Sequence, residues 1–163
     1  MAIPVVAYTA ETKDGCSIQE ASIWLAREQD AAWTAKLVIL RVERLDDIRH
    51  FGECLGEHER HIGELAACAR TGKFARESSS LLEPSFVTRE PLAIGALAES
   101  SAVLAAMESI EIARVARYRS RDAAMPTALD RMLAQHLTDA RARLNWLRHR
   151  LRARYAVQET AAR

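Results

Sequence analysis

The sequence predicts an all-α fold, a single four-helix bundle, and three observations lead to this prediction. Pro and Gly are scarce, with four and six among the 163 residues. Ala, Leu, Glu and Arg dominate over β-branched residues, which is typical of helices rather than sheets. Apolar residues recur at steps of three and four along four long segments, as on the buried face of a helix. With 49% hydrophobic residues, the chain can form one domain with its own core.

The first two predicted helices form an antiparallel hairpin. Residues 1–16 are expected to be an N-terminal arm, and Ser17 caps the first helix together with Glu20, its capping-box partner. Asp46 lies in the short turn and caps the second helix, which ends near Gly72. Because so short a connection cannot cross a bundle, the two helices are expected to lie side by side.

A long connection follows this hairpin. About twenty residues, which include three consecutive serines, Pro84 and Pro91, separate the second helix from the third. At about 3.3 Å per residue, such a segment can span the length of a helical bundle. We therefore expect a crossover that returns the chain to the far end of the bundle.

The last two predicted helices form a second hairpin. The third helix is expected to run from about Leu92 to Arg121, and Pro126 marks the start of the fourth, where proline fits well. The bundle is expected to occupy residues 17–155, and residues 156–163 are expected to be a C-terminal tail.

A histidine pair interrupts the apolar face of the second helix. Phe51, Leu55 and Leu65 follow the helical spacing, and His58 fills the gap between them. His61 follows three positions later, so both imidazoles can project from one face of the helix. Such a pair can bind a metal ion, or it can be two buried histidines held by hydrogen bonds. The pair alone leaves both alternatives open.

Three glutamates also lie on faces that point inward. Glu28 lies between Leu25 and Ala32 on the first helix, and Glu108 and Glu111 lie on the third. Because an unpaired buried charge is costly, an inward carboxylate requires a positive charge nearby.

The fourth helix offers an almost wholly apolar face, made of Leu129, Leu133, Leu137, Ala140, Leu144, Leu147 and Leu151.

Two helical hairpins joined by a long crossover, with inward acids and a histidine pair, resemble the ferritin-like superfamily over residues 18–154. Segments 43–47 (Glu-Arg-Leu-Asp-Asp) and 57–65 are similar to those of small bacterial, stress-associated ferritin-like proteins related to rubrerythrin, and segment 144–147 fits the same group. The resemblance implies a di-iron site with a Glu from the first and third helices and a Glu-x-x-His pair from the second and fourth. It also implies a role in metal handling or oxidative-stress defence.

The chain departs from that di-iron pattern on three helices. On the first, Ala31 stands at the position of the Glu, and Glu28 lies about one turn away. His58 stands where the second helix should carry Glu, and Ala140 and Arg143 stand at the positions of the fourth-helix pair. The ligands that remain suit one metal ion, with iron, manganese or zinc as candidates. These predicted ligands are His58, His61 and Glu111, with Glu28 and Glu108 as helpers.

The alternative is that Arg143 replaces the metal ion. A guanidinium that faces Glu111 across the bundle would neutralise the carboxylate. The metal site would then be vestigial, no cofactor would be bound, and the chain would be a non-enzymatic bundle for assembly or partner binding. The sequence leaves open whether the protein is an enzyme.

The predicted partner is a second copy of the chain in a homodimer. Trp33 lies beside the buried face of the first helix, where it could contact a second subunit, and ferritin-like proteins often form dimers.

The arginines near the end of the fourth helix suit the helix dipole, so we expect no nucleic-acid binding. No apolar segment reaches the length of a membrane helix and the first residues lack a basic signal region, so we expect a cytoplasmic protein that does not bind membranes. The three cysteines are expected to be small buried thiols.

Overall fold

A computed structural model describes residues 18–70, 89–120 and 128–161 of the chain. These residues form five α-helices and no strand, so the all-α prediction is confirmed. The N-terminal arm, the N-cap Ser17, most of the crossover and the turn at Pro126 lie outside the described residues. Among the described helices, none is long and apolar enough to span a membrane. The helices are α1 (Ile18–Ile39), α2 (Leu45–Arg70), α3 (Arg89–Gly95), α4 (Ser100–Arg119) and α5 (Ala128–Ala161).

The four long helices, α1, α2, α4 and α5, pack around a shared core. One buried cluster joins Trp24 near the start of α1, Leu65 near the end of α2, Tyr118 at the end of α4 and Leu133 near the start of α5. A second cluster joins the opposite ends of the same helices and includes Val38, Phe51, Leu104 and Leu147. It follows that α1 and α2 are antiparallel, that α4 and α5 are antiparallel, and that α2 and α4 run in the same direction.

These directions agree with two antiparallel hairpins, and the chain between α2 and α4 has to return from one end of the bundle to the other. The short helix α3 belongs to this return, because its Ile94 is buried in the second cluster. An all-helical bundle is therefore the observed architecture. Its assignment to the ferritin-like superfamily remains a prediction.

The predicted third helix is wrong as one continuous element. It is divided into α3 and α4, with residues 96–99 between them. The Arg41 guanidinium donates hydrogen bonds to the carbonyl oxygens of Gly95 at 2.9 Å and Leu97 at 3.0 Å. The Ser100 hydroxyl in turn donates to the Arg41 carbonyl at 3.1 Å. The carbonyl oxygens of Gly95 and Leu97 thus accept hydrogen bonds from Arg41, a residue far away in the chain, and the helix does not continue. Local apolar periodicity could not predict this break.

Polar side chains fix the register between α2 and α5. They occupy positions 136, 143 and 150 of α5, which lie two helical turns apart and so share one face. The three pairs are Asp47–Arg150 at 2.5 Å, Glu57–Arg143 at 2.6 Å and Glu64–His136 at 3.0 Å. Because the pairs follow α2 forwards and α5 backwards, they confirm that these two helices are antiparallel neighbours.

Two further features bear on the sequence predictions. Helix α5 continues to Ala161, through most of the segment that was expected to be a tail, and its Tyr155 and Val157 are exposed.

Cys54 is a buried free thiol, as predicted. The prediction of a thiol is wrong for Cys68, which takes part in a disulfide bond.

Candidate metal centre

The Glu28 carboxylate lies at the centre of a buried polar cluster between the helices. Glu28 follows the apolar spacing of α1, so its side chain is directed into the bundle and is only 4% exposed. Its Oε2 lies 2.7 Å from His58 Nδ1 and 3.2 Å from His61 Nδ1, both on α2. Its Oε1 accepts a hydrogen bond from the Tyr118 hydroxyl of α4. One carboxylate thus connects three helices.

A third histidine completes this cluster from α5. The ring of His136 stacks on the ring of His61, with the centroids 3.6 Å apart and the planes 17° from parallel. Both rings are fully buried. One ligand atom from each of Glu28, His61 and His136 lies within 4.8 Å of the others, so the three residues could hold a metal ion. We refer to Glu28, His61 and His136 as the Glu–His–His triad.

Both imidazoles of the triad are held by a carboxylate on their outer side. Asp139 Oδ2 lies 2.9 Å from His61 Nε2, and Glu64 Oε2 lies 3.0 Å from His136 Nε2. In His136 the remaining ring nitrogen, Nδ1, is buried and has no hydrogen-bond partner. A carboxylate on one imidazole nitrogen and a free second nitrogen is the arrangement found in histidines that bind metals, because the carboxylate orients the ring.

Aromatic side chains form one wall of the centre. The rings of Trp24 and Tyr118 stack with their centroids 4.8 Å apart, and Tyr118 meets His136 edge to face at 6.3 Å. Arg27 covers the outer face of Trp24, with its guanidinium carbon 4.7 Å from the ring centroid. This wall keeps water away from Glu28 and strengthens each electrostatic interaction inside.

The protonation states of the cluster suit a metal ion. Burial raises the pKa of Glu28, but hydrogen bonds with His58, His61 and Tyr118 outweigh burial and hold this pKa well below its ordinary value. Burial lowers the pKa of His58 to about 4, although the hydrogen bond to Glu28 acts in the opposite direction. Burial also lowers the pKa of His136, and the hydrogen bond to Glu64 opposes it. At neutral pH the ionised carboxylate of Glu28 therefore lies near the neutral imidazoles of His58 and His136, and neutral imidazole is the form that binds metals.

The structure joins three of the five predicted metal ligands in one hydrogen-bonded cluster and pairs the other two with arginines, although Glu111 lines one cavity together with His58. His58, His61 and Glu28 belong to the buried polar cluster. Glu28 was expected only as a helper and instead lies at the centre. Glu108 is half-buried on α4 and pairs with Arg148 at 3.3 Å. Glu111 is buried among arginines.

These arginines neutralise Glu111. Its Oε1 accepts a hydrogen bond from Arg114 on the next turn of α4, and its Oε2 lies 3.5 Å from Arg143 Nε. Arg143 also donates to Glu57 at 2.6 Å. Burial raises the pKa of Glu111, but the two guanidinium groups outweigh burial and lower it overall. We refer to Glu57, Glu111, Arg114 and Arg143 as the arginine cluster.

Sequence reasoning missed His136 as a metal ligand. The apolar face of α5 was traced through Leu137, whereas the buried positions are Leu133, His136, Ala140 and Arg143. Between Leu133 and Ala140, a step of three followed by four places residue 136 on the buried face, and a step of four followed by three places residue 137 there. A repeated spacing could have decided between them. On α2 Glu64 follows His61 by three positions, and on α5 Asp139 follows His136 by three positions.

No family model, curated protein or solved structure matches this chain. We therefore infer a function from the side chains of the metal centre.

Proposed function

We propose that this protein binds one divalent transition-metal ion in the Glu–His–His triad and serves metal handling or oxidative-stress defence as a ferritin-like protein. The observation that carries the proposal is the Nδ1 atom of His136, which is buried without a hydrogen-bond partner beside His61 and Glu28. A buried polar atom without a partner is costly, and a metal ion bound to it would remove that cost.

The donor set indicates the class of metal. Two imidazole nitrogens and one carboxylate oxygen suit Fe²⁺, Mn²⁺ or Zn²⁺, and they disfavour Mg²⁺ and Ca²⁺, which prefer oxygen ligands alone. Three protein ligands leave coordination positions for water or a substrate. The carboxylates of Asp139 and Glu64 would hold the two imidazoles in place and raise their basicity.

The arginine cluster supports a site for one ion rather than two. In the di-iron pattern, Glu111 would be a ligand of the third helix, but here Arg114 and Arg143 already supply its positive charge. A second metal ion next to two guanidinium groups would meet strong repulsion in a buried environment. The proposed centre therefore has one ion, on the side of the bundle where α1, α2 and α5 meet.

Metal titration of purified protein tests this proposal. The chain is purified without added metal, treated with a chelator and titrated with Co²⁺, whose visible absorption reports nitrogen and oxygen ligands. We expect one Co²⁺ per chain. In His136→Gln, which can still bond to Glu64 but lacks a ring nitrogen, we expect the affinity to fall about a hundredfold or more.

The matched control is His149→Gln, since His149 is an exposed histidine on the same helix. This control should bind Co²⁺ as the wild type does. Equal loss of binding in both variants, or unchanged binding in His136→Gln, would contradict the proposal. Elemental analysis of protein purified without chelator, followed by an assay of Fe²⁺ oxidation, would identify the metal and separate storage or detoxification from other roles.

A second candidate function is a non-enzymatic helical bundle for assembly or partner binding. One observation favours it: Glu28 already lies within hydrogen-bond distance of both His58 and His61 and accepts a hydrogen bond from Tyr118, and such a network can be purely structural. In that case the Co²⁺ titration would show no stoichiometric binding. Measurement of the oligomeric state, with Trp33→Glu as the variant, would then test assembly directly, because Trp33 is 55% exposed.

A further inference from the structure

Arg60 connects the two carboxylates that hold the imidazoles of the triad. Its Nη1 donates to Glu64 Oε1 at 2.8 Å, and its Nη2 donates to Asp139 Oδ2 at 2.7 Å. The same Nη2 lies 3.1 Å from Nε2 of His61. One guanidinium group thus bridges α2 and α5 directly outside the buried triad.

These three side chains form the partly exposed layer above the triad. Arg60 is 45% exposed, Glu64 is 36% exposed and Asp139 is 16% exposed. The other described side chains that pair with His61 or His136 or contact their rings are Glu28, His58 and Tyr118, and all three are buried. Arg60, Glu64 and Asp139 are therefore the solvent-exposed side of the polar network around the triad.

We propose that Arg60, Glu64 and Asp139 form a clamp that controls the exchange of the metal ion between the Glu–His–His triad and solvent. This inference rests on the proposed function of the triad. With the clamp closed, Arg60 bridges the two helices and covers the imidazoles. With the clamp open, the guanidinium extends into solvent and two carboxylates remain at the mouth of the site.

The physical properties of the three residues suit such a clamp. Exposed ion pairs of arginine are weak, and an exposed side chain changes its rotamer within nanoseconds, so the clamp can open without movement of a helix. Two carboxylates without a positive partner attract a divalent cation and raise its local concentration. Opening therefore assists uptake and release alike, whereas closure retains the bound ion and excludes water.

Stopped-flow measurement of Co²⁺ uptake, and of its release to excess chelator, tests the clamp. The variant is Arg60→Met, which keeps the length of the side chain and removes its charge. We expect the association and dissociation rate constants each to rise about fivefold to tenfold, as the loss of two exposed ion pairs permits. Because both rate constants rise together, the Kd should change by less than about threefold.

Two further variants serve as controls. Arg148→Met removes an arginine of nearly equal exposure, 46%, that pairs with Glu108 outside the site, and it should leave both rate constants unchanged. Arg60→Lys retains the charge but cannot bridge two carboxylates with a planar fork, so its rate constants should lie between those of the wild type and Arg60→Met.

Each other outcome overturns a specific statement. If the dissociation rate constant alone rises and the affinity falls, Arg60 merely positions the imidazoles and the clamp is overturned. Unchanged rate constants in Arg60→Met overturn the clamp and leave the metal site intact. A wild-type chain that binds no Co²⁺ overturns the proposed function and the clamp with it.

Discussion

The rings of His61 and His136 stack at a centroid distance of 3.6 Å, although one belongs to α2 and the other to α5. Each ring is held from outside by a carboxylate of the opposite helix, since Asp139 of α5 contacts His61 and Glu64 of α2 contacts His136. These two contacts restrict the rotation of both imidazole rings before a metal ion binds. A metal ion would thus meet ligands that have already lost most of their rotational freedom.

Removal of either outer carboxylate should weaken metal binding without removing a ligand. We expect Asp139→Asn and Glu64→Gln each to lower the Co²⁺ affinity about tenfold to a hundredfold, because the imidazole loses the group that orients it. Titration at constant pH measures this change. Glu108→Gln is the control, since Glu108 pairs with Arg148 and should leave the affinity unaffected. A larger effect in the control than in Asp139→Asn would show that the sequence-based ligand set was the better one.

Metal binding should stabilise the folded chain. A ligand at a hundred times its Kd that binds only the folded state adds about 2.7 kcal/mol. For a chain of this size we expect the Tm to rise by about 5–10 °C when Zn²⁺ or Co²⁺ is added to the apoprotein. Differential scanning fluorimetry measures the shift, and His136→Gln should show almost none. An equal shift in His136→Gln would place the metal elsewhere on the protein.

Arg143 should stabilise the fold and have no role in metal binding. Arg143→Ala leaves Glu111 and Glu57 without one of their cations, and removing one partner of a buried ion pair costs about 3–5 kcal/mol. Guanidinium chloride unfolding should report that loss, while the Co²⁺ stoichiometry stays the same. Arg148→Ala, an exposed arginine of the same helix, should change the free energy of unfolding by less than about 0.5 kcal/mol. An unfolding curve of Arg143→Ala identical to that of the wild type would contradict the importance of this pairing.

The helices could be predicted from the sequence because helical periodicity is a local property. The spacing on α1 and α2 places Glu28, His58 and His61 on inward faces, and the structure buries all three. The break before α4 could not be predicted in this way, since it depends on hydrogen bonds from Arg41, a residue of another part of the chain. Apolar spacing continues across such a break and conceals it.

The composition of the site depended on information that no single helix contains. Periodicity shows that Glu111 faces inward, but it does not show that Arg114, one turn along α4, turns its guanidinium onto it. The choice between His136 and Leu137 is also decided by the neighbouring helix, because His136 finds Glu64 and His61 on α2. Six of the seven residues of the predicted apolar face are buried, and His136 and Arg143 lie on that same face.

The apoprotein should lose stability as the pH falls from 6.5 towards 4, and His58 should account for part of this loss. The pKa of His58 is about 4 in the folded chain, because burial outweighs the hydrogen bond to Glu28 of α1, and Arg143 of α5 and Arg114 of α4 lower it further. In the unfolded chain the imidazole has its ordinary pKa of 6.5. Between these values the unfolded state binds a proton that the folded state does not, so the penalty is absent above pH 6.5 and grows by up to about 1.4 kcal/mol per pH unit below it.

Urea unfolding of the apoprotein at pH 7, 6, 5 and 4.5 measures this loss, with a chelator present throughout. The carboxylates with lowered pKa, which are Glu28, Glu64, Glu111 and Asp139, lose their stabilising effect mainly when the pH falls below about 4.5, so they contribute little within this window. We expect His58→Gln to unfold with a shallower pH dependence than the wild type. The matched variant His149→Gln should keep the wild-type slope, because His149 is exposed. Equal slopes for His58→Gln and the wild type would mean that His58 takes up its proton in the folded chain as readily as in the unfolded one, and that its burial beside Glu28 does not exclude the charged ring.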